Sequence, residues 1–139
     1  MSVRFAGYAA VFDRIDRGGD VVRAGAFGGA GGAVSGAVSG AVPLLWQHRG
    51  APVGVVESLA EDAQGLRVIG RIEDARLAGL VASGAVRGLS FGYRVTAARG
   101  AAGGSGGGRV RELTRVELVE ISLVAQPMQG LARVHAVEG

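Results

Sequence analysis

The chain has 139 residues, enough for one domain with a buried core; it is 48% hydrophobic, only 5% aromatic, and carries 26 glycines, a balance that favours a β-rich fold over a helical bundle. All fifteen basic residues are arginines scattered among twelve acids, so the net charge of +3 describes a solvated surface and not the basic run of a specific nucleic-acid binder. The lack of cysteine excludes a disulfide framework, a thiolate nucleophile and a Cys-based zinc site, and two histidines are few for a metal centre, so neither metal nor cofactor is expected.

In chain order, residues 3–12 read as a first strand that ends in the polar turn 13–20, followed by the short apolar piece Val21-Val22. Residues 28–41 are low in complexity, with Ala-Val-Ser-Gly twice over. Glycine costs about 1 kcal/mol against alanine in a helix, so a flexible loop is expected there. Pro43 opens a strand through Leu44-Leu45-Trp46 to Gln47-His48, and Arg49-Gly50-Ala51-Pro52 is predicted to turn the chain. Residues 53–59 and 66–72 then form a strand pair, with Arg67 and Arg71 facing out and Leu66, Val68 and Ile72 facing in. A helix is predicted over 74–83, capped by Asp74, with Leu77, Leu80 and Val81 as its buried stripe and Gly84 just past its end.

Residues 88–96 make the next strand. In Gly88-Leu89-Ser90-Phe91-Gly92-Tyr93 the bulky residues share one face, and Ser90 stands on the other between two glycines. Either this is a strand with a small solvent face, or a hydroxyl cleared for the approach of a peptide. A flexible glycine-rich loop is expected at 99–108, and a long strand returns over 110–124. The end of that strand is apolar on both faces except for Glu120 and Ser122, which share a face. A carboxylate in a buried strand needs a partner, and histidine or arginine are the candidates. Residues 131–137 add a last strand.

The chain therefore offers a hydroxyl, an imidazole and a buried acid, each on a different strand. Acyl transfer uses this set: the imidazole takes the hydroxyl proton and the carboxylate fixes the ring's tautomer. By spacing alone, chance pairing among eight serines and two histidines explains it equally well.

Phe5-Ala6-Gly7-Tyr8, Gly19-Asp20-Val21-Val22, Gly25-Ala26-Phe27, Leu44 to His48 with Pro52-Val53-Gly54, Gly88 to Tyr93, and Leu118 to Val124 with Pro127 and Ala132 follow one another in an order that resembles the prohead (capsid-maturation) proteases of tailed bacteriophages and of phage-like gene transfer agents. That family is related to the herpesvirus assemblins. The resemblance spans nearly the whole chain and implies a single domain over 1–139, mainly β with a few helices (α+β): a small closed or partly open β-barrel flanked by helices. It implies His48 as general base, Ser90 as nucleophile and Glu120 as the orienting acid, with His135 the rival third member because assemblins use a second histidine. The implied function is a serine endopeptidase that cleaves the scaffold region of the major capsid protein, and itself, inside the procapsid. The alternative is a non-catalytic scaffold or capsid-binding module that keeps the fold. A homodimer is expected by the same resemblance. No apolar run reaches the length of a membrane span and the start lacks a signal-peptide core, so a soluble protein of the bacterial cytoplasm, without a membrane partner, is expected.

Overall fold

The computed structural model describes residues 2–28, 41–102 and 109–139. Its elements are β1 (Val3–Val11), β2 (Asp20–Val22), β3 (Pro43–Trp46), β4 (Arg49–Glu61), β5 (Gly65–Ile72), α1 (Ala75–Ala82), β6 (Gly88–Ala102), β7 (Arg109–Val124) and β8 (Val134–Glu138). They form one strongly curved sheet in the order β6–β7–β3–β4–β5–β1–β8, with β2 beside β3 on the same edge of β7. The β6–β7, β4–β5, β1–β5 and β1–β8 pairings are antiparallel, whereas β2 and β3 run parallel to β7.

No ladder closes the sheet among the described residues. Its two ends meet through a single bridge, Gly88 to Arg133, flanked by the main-chain bonds Leu89 N–H to Ala132 O (3.0 Å) and Val134 N–H to Arg87 O (2.8 Å). The result is the partly open form of the expected barrel. Its interior is filled by strand residues of alternating direction: Phe5, Leu44, Leu66, Val68, Ile72, Leu89, Leu113, Ile121 and Leu123 are all buried. Burial of this kind stabilises by roughly 25 cal/mol per Å2 of apolar surface, so the central strands carry most of the hydrophobic term.

The described residues contain one helix. Asp74 Oδ1 accepts the N–H of Leu77 (2.9 Å), and Gly84, at φ +81°, ends it with Ala85 and Val86 N–H both bonded to Leu80 O. The buried stripe is Leu77, Ala78 and Val81. Leu80, predicted to be inside, is 37% exposed, because it lies on the flank of the arc that those three define.

Two further expectations change. The turn predicted at 49–52 is strand, since Arg49 already pairs with Trp46 and β4 runs unbroken to Glu61. The chain reverses instead in the two residues Gln47-His48, at φ +55° and +65°. That is the hairpin geometry which normally selects Asn-Gly, and neither residue advertises it. Residues 99–102, assigned to a loop, continue β6 and pair with 109–112 of β7. Residues 29–40 and 103–108, the centres of the two glycine-rich segments, lie outside the described residues.

Candidate active site

Three adjacent strands deliver the three side chains singled out above. β7 lies in the middle; β6 flanks it on one edge and β3 on the other. Ser90 on β6 is the cross-strand partner of Ser122, and Gly92 of Glu120, so all four positions lie on one face of the sheet. β3 leads straight into the Gln47-His48 turn, which sets His48 over the end of β7.

The turn is tied down at both residues. Gln47 N–H donates to Leu123 O (3.0 Å), and His48 N–H donates to the hydroxyl of Ser122 (3.0 Å). The Gln47 side chain adds a third tie, its Oε1 accepting the N–H of Ala125 (2.9 Å). A non-glycine residue in the left-handed region costs about 1–2 kcal/mol, so two in succession persist only where such bonds hold them.

His48 Nδ1 lies 2.5 Å from Glu120 Oε1. A carboxylate acceptor there puts the ring proton on Nδ1 and leaves the lone pair on Nε2. The second carboxylate oxygen, Oε2, accepts from the Ser122 hydroxyl at 2.6 Å. Glu120 is 7% exposed and Ser122 fully buried, so both bonds work where water does not compete. His135 goes elsewhere: it sits on β8, edge-on to the ring of Tyr8 at 5.8 Å between centroids. The structure thus brings Glu120, and not His135, to the ring of His48.

Ser90 and His48 line one cleft of about 810 Å3. Ser90 is 8% exposed, and its hydroxyl makes no hydrogen bond among the described residues. Trp46, Leu89 and Phe91 are among the cleft's apolar lining residues, and Arg14, Arg17 and Arg49 among its charged ones. On one wall, Asp20 receives Arg111 through two bonds of 2.9 Å and the hydroxyl of Tyr93 at 3.0 Å. The Arg111 contact holds the Asp20 carboxyl below its ordinary range. Burial first, and the bond to Asp20 second, push the Tyr93 phenol up to about 12.

The glycines around Ser90 do a different job from the one predicted. A Cβ on Gly92 would lie 2.4 Å from Glu120 Oε1, and one on Gly88 would lie 2.6 Å from Val124 O and 2.9 Å from Pro127 Cδ. The protein itself fills both vacancies; what they admit is β7, with its carboxylate, and not a substrate. The glycine spacing signalled a close approach, but it could not say whose. Two contributors carried weaker signals in the sequence. Gln47 lacks any mark of a left-handed turn, and the pairing of Asp20 with Arg111 spans ninety-one positions.

The model of the family described as caudovirus prohead serine protease matches residues 1–138. The chain belongs to that family. It is 36% identical over 98 residues to the prohead protease of Enterobacteria phage HK97, an alignment that covers 66% of this chain and 42% of that protein. The chain therefore spans less than half the length of this curated relative. Among solved structures, the KSHV protease crystallised with a hexapeptide phosphonate inhibitor superposes with a TM-score of 0.54 at 14% identity, over 100% of this chain and 66% of that one. At that identity the likeness is one of fold: the partly open barrel is an assemblin-like α+β fold. No helix of the described residues is long and apolar enough to cross a membrane.

Proposed function

We propose that this prohead-family protein is a serine endopeptidase of capsid maturation, with Ser90 as nucleophile, His48 as general base and Glu120 as the acid that orients the imidazole. Its substrates are the scaffold region of the major capsid protein and its own chain, cut inside the procapsid. The observation that carries the reading is the His48–Glu120 bond beside a cleft that His48 lines together with Ser90, whose hydroxyl is unbonded among the described residues, in a chain of this family.

The chemistry follows from the proton positions. Glu120 accepts from Nδ1–H, so Nε2 is the basic atom. As Ser90 Oγ attacks the scissile carbonyl carbon, Nε2 takes its proton, and the imidazolium that forms is stabilised by the carboxylate behind it. The tetrahedral intermediate expels the amine, which leaves with the proton from Nε2. Water then attacks the acyl-enzyme, giving its proton to Nε2, and Ser90 is regenerated when the proton returns to Oγ. Substrate binding draws Oγ and Nε2 to hydrogen-bond distance, a contact that is commonly loose in the free enzyme. Among the described residues no partner competes for the Ser90 hydroxyl, which leaves it available for that approach.

The test is co-expression with the capsid protein, read by intact mass. Ser90→Ala is expected to fold normally and leave the capsid protein at full length. Normal processing by that variant overturns the assignment.

A further inference from the structure

The site contains a fourth residue, Ser122, whose hydroxyl the proposed chemistry does not use. Ser122 is fully buried, and its hydroxyl bonds two partners that both belong to the site: it donates its one proton to Glu120 Oε2 at 2.6 Å and accepts from His48 N–H at 3.0 Å. We infer that Ser122 is a positioning residue, one hydroxyl that fixes the main chain of the base and the carboxylate of the acid together. The inference rests on the triad assigned above.

Three observations support it. First, a hydroxyl has a single proton, and an ionised carboxylate can only accept; the direction of both bonds is therefore set, and the hydroxyl cannot rotate without losing one of them. Second, Glu120 has two oxygens and each has its own partner, His48 Nδ1 on Oε1 and Ser122 on Oε2. Removing the hydroxyl frees the carboxylate to turn about its last bond, and the imidazole loses its fixed acceptor. Third, His48 is held at φ +65°, and the Ser122 hydroxyl is the acceptor for its N–H. Loss of that acceptor loosens the strained turn as well as the acid.

Gly92 completes the arrangement from the opposite strand. The carboxylate occupies the volume that a Cβ at residue 92 would take, 2.4 Å from Oε1 and 2.9 Å from Cδ and Cγ. Glu120 is thus held from one side by a bond and received on the other by an absent side chain. Ser90, two residues along the same strand, shares this rigid frame with the acid.

The test compares Ser122→Ala, Ser122→Thr and Ser122→Cys with wild type. One readout is the rate at which a fluorophosphonate labels Ser90 across pH. The other is the His48 Nδ1–H proton resonance, and thermal melts check folding. Ser122→Ala is expected to lower the labelling rate roughly tenfold to a hundredfold, with the dependence on probe concentration unchanged. It is also expected to lose or shift the Nδ1–H resonance while the amide spectrum stays dispersed. Ser122→Thr, which keeps the hydroxyl, is expected to recover most of the rate and the resonance.

Should Ser122→Ala fail to fold, Ser122→Cys keeps the volume with a far weaker donor and takes its place. Gly92→Ala asks the same question from β6 and is expected to displace the same resonance. A Ser122→Ala protein that melts lower but labels at the wild-type rate and keeps the Nδ1–H resonance overturns the inference, since the residue would then be structural only. Wild type that takes no label at all refutes the proposed chemistry instead. The resonance in Ser122→Ala then decides the positioning role by itself.

Discussion

In the first half of β7 every described carboxylate contact is made by a guanidinium; in the second half none is. Glu112 takes Arg23 at 2.6 Å and Arg99 beside it, and Asp20 on the neighbouring β2 takes Arg111. Those contacts draw both carboxyl groups below their ordinary range, through the hydrogen bonds from Arg23 and Arg111 above all. Eight residues further along the same strand, Glu120 is met by an imidazole and a hydroxyl. An arginine keeps its proton at any physiological pH, so its ion pair is permanent and serves the fold. Imidazole changes charge, so a carboxylate beside it can meet a neutral ring at rest and a cation while a proton is in transit. The difference lies in the partner and not in the carboxylate, and on β7 it sets Glu112, held by arginines, apart from Glu120, the acid of the proposed triad.

The largest effect that tests this contrast is on rate. Glu120→Gln, which keeps the shape, is expected to lower fluorophosphonate labelling of Ser90 by roughly 10^3 to 10^4-fold with the fold retained, because an amide no longer pins the Nδ1–H tautomer. Glu112→Gln is expected to do the reverse: labelling within about twofold of wild type, and a lower melting temperature. If both variants lost activity equally, the two halves of β7 would not be distinct. The next effect is on acid stability. Asp20 has a depressed folded-state pKa, so its stabilisation is complete above the unfolded aspartate value of about 3.9 and is lost as the pH falls from there through the folded value. Urea midpoints of Asp20→Asn against wild type should therefore differ at pH 5 to 7 and converge as the pH drops below about 4.

Much of this was legible along the chain. The apolar run 118–124 interrupted only by Glu120 and Ser122 announced a buried acid, and the alternation around Ser90 put its hydroxyl on the glycine face of its strand; that the acid arrives on the same face shows only in the pairing of β6 with β7. Helix α1 was readable from Asp74 to Gly84 because its caps are local chemistry. The His48 turn was not readable, since its backbone is dictated from β7 by Leu123 O and the Ser122 hydroxyl, seventy-four residues away in the second case, while Gly50 nearby drew the turn three residues late. The far half of the β6–β7 hairpin was hidden for a related reason. Gly100, Ala101 and Ala102 look like loop, and it is the ladder opposite that makes them strand. Local signals sufficed where the partner was local.

A smaller effect concerns the wall of the cleft on the structural side of the comparison. Tyr93→Phe removes the hydroxyl that donates to Asp20, and is expected to cost about 0.5–1.5 kcal/mol near neutral pH. The phenol is raised to about 12 in the folded protein, against about 10 unfolded, so its contribution is present below pH 10 and is lost as the pH climbs from 10 to 12. Denaturant midpoints of the two proteins should draw together over that interval. Absorbance titration should lose its phase near pH 12 in the variant, and a phase that persists would belong to Tyr8 instead.

The smallest effect is expected at Gln47, where opposing terms nearly cancel. Gln47→Gly removes a left-handed penalty of about 1–2 kcal/mol. It gives back about 0.5–1 kcal/mol in unfolded-chain entropy and about 0.5–1.5 kcal/mol with the Ala125 bond. The net change in stability should lie within about 1.5 kcal/mol of zero by denaturant titration. Labelling of Ser90 should fall less than about tenfold, because Leu123 O and the Ser122 hydroxyl still hold the main chain of the turn. A much steeper loss at unchanged stability would mean that the Gln47 side chain, and not the main-chain bonds to β7, sets where the imidazole stands.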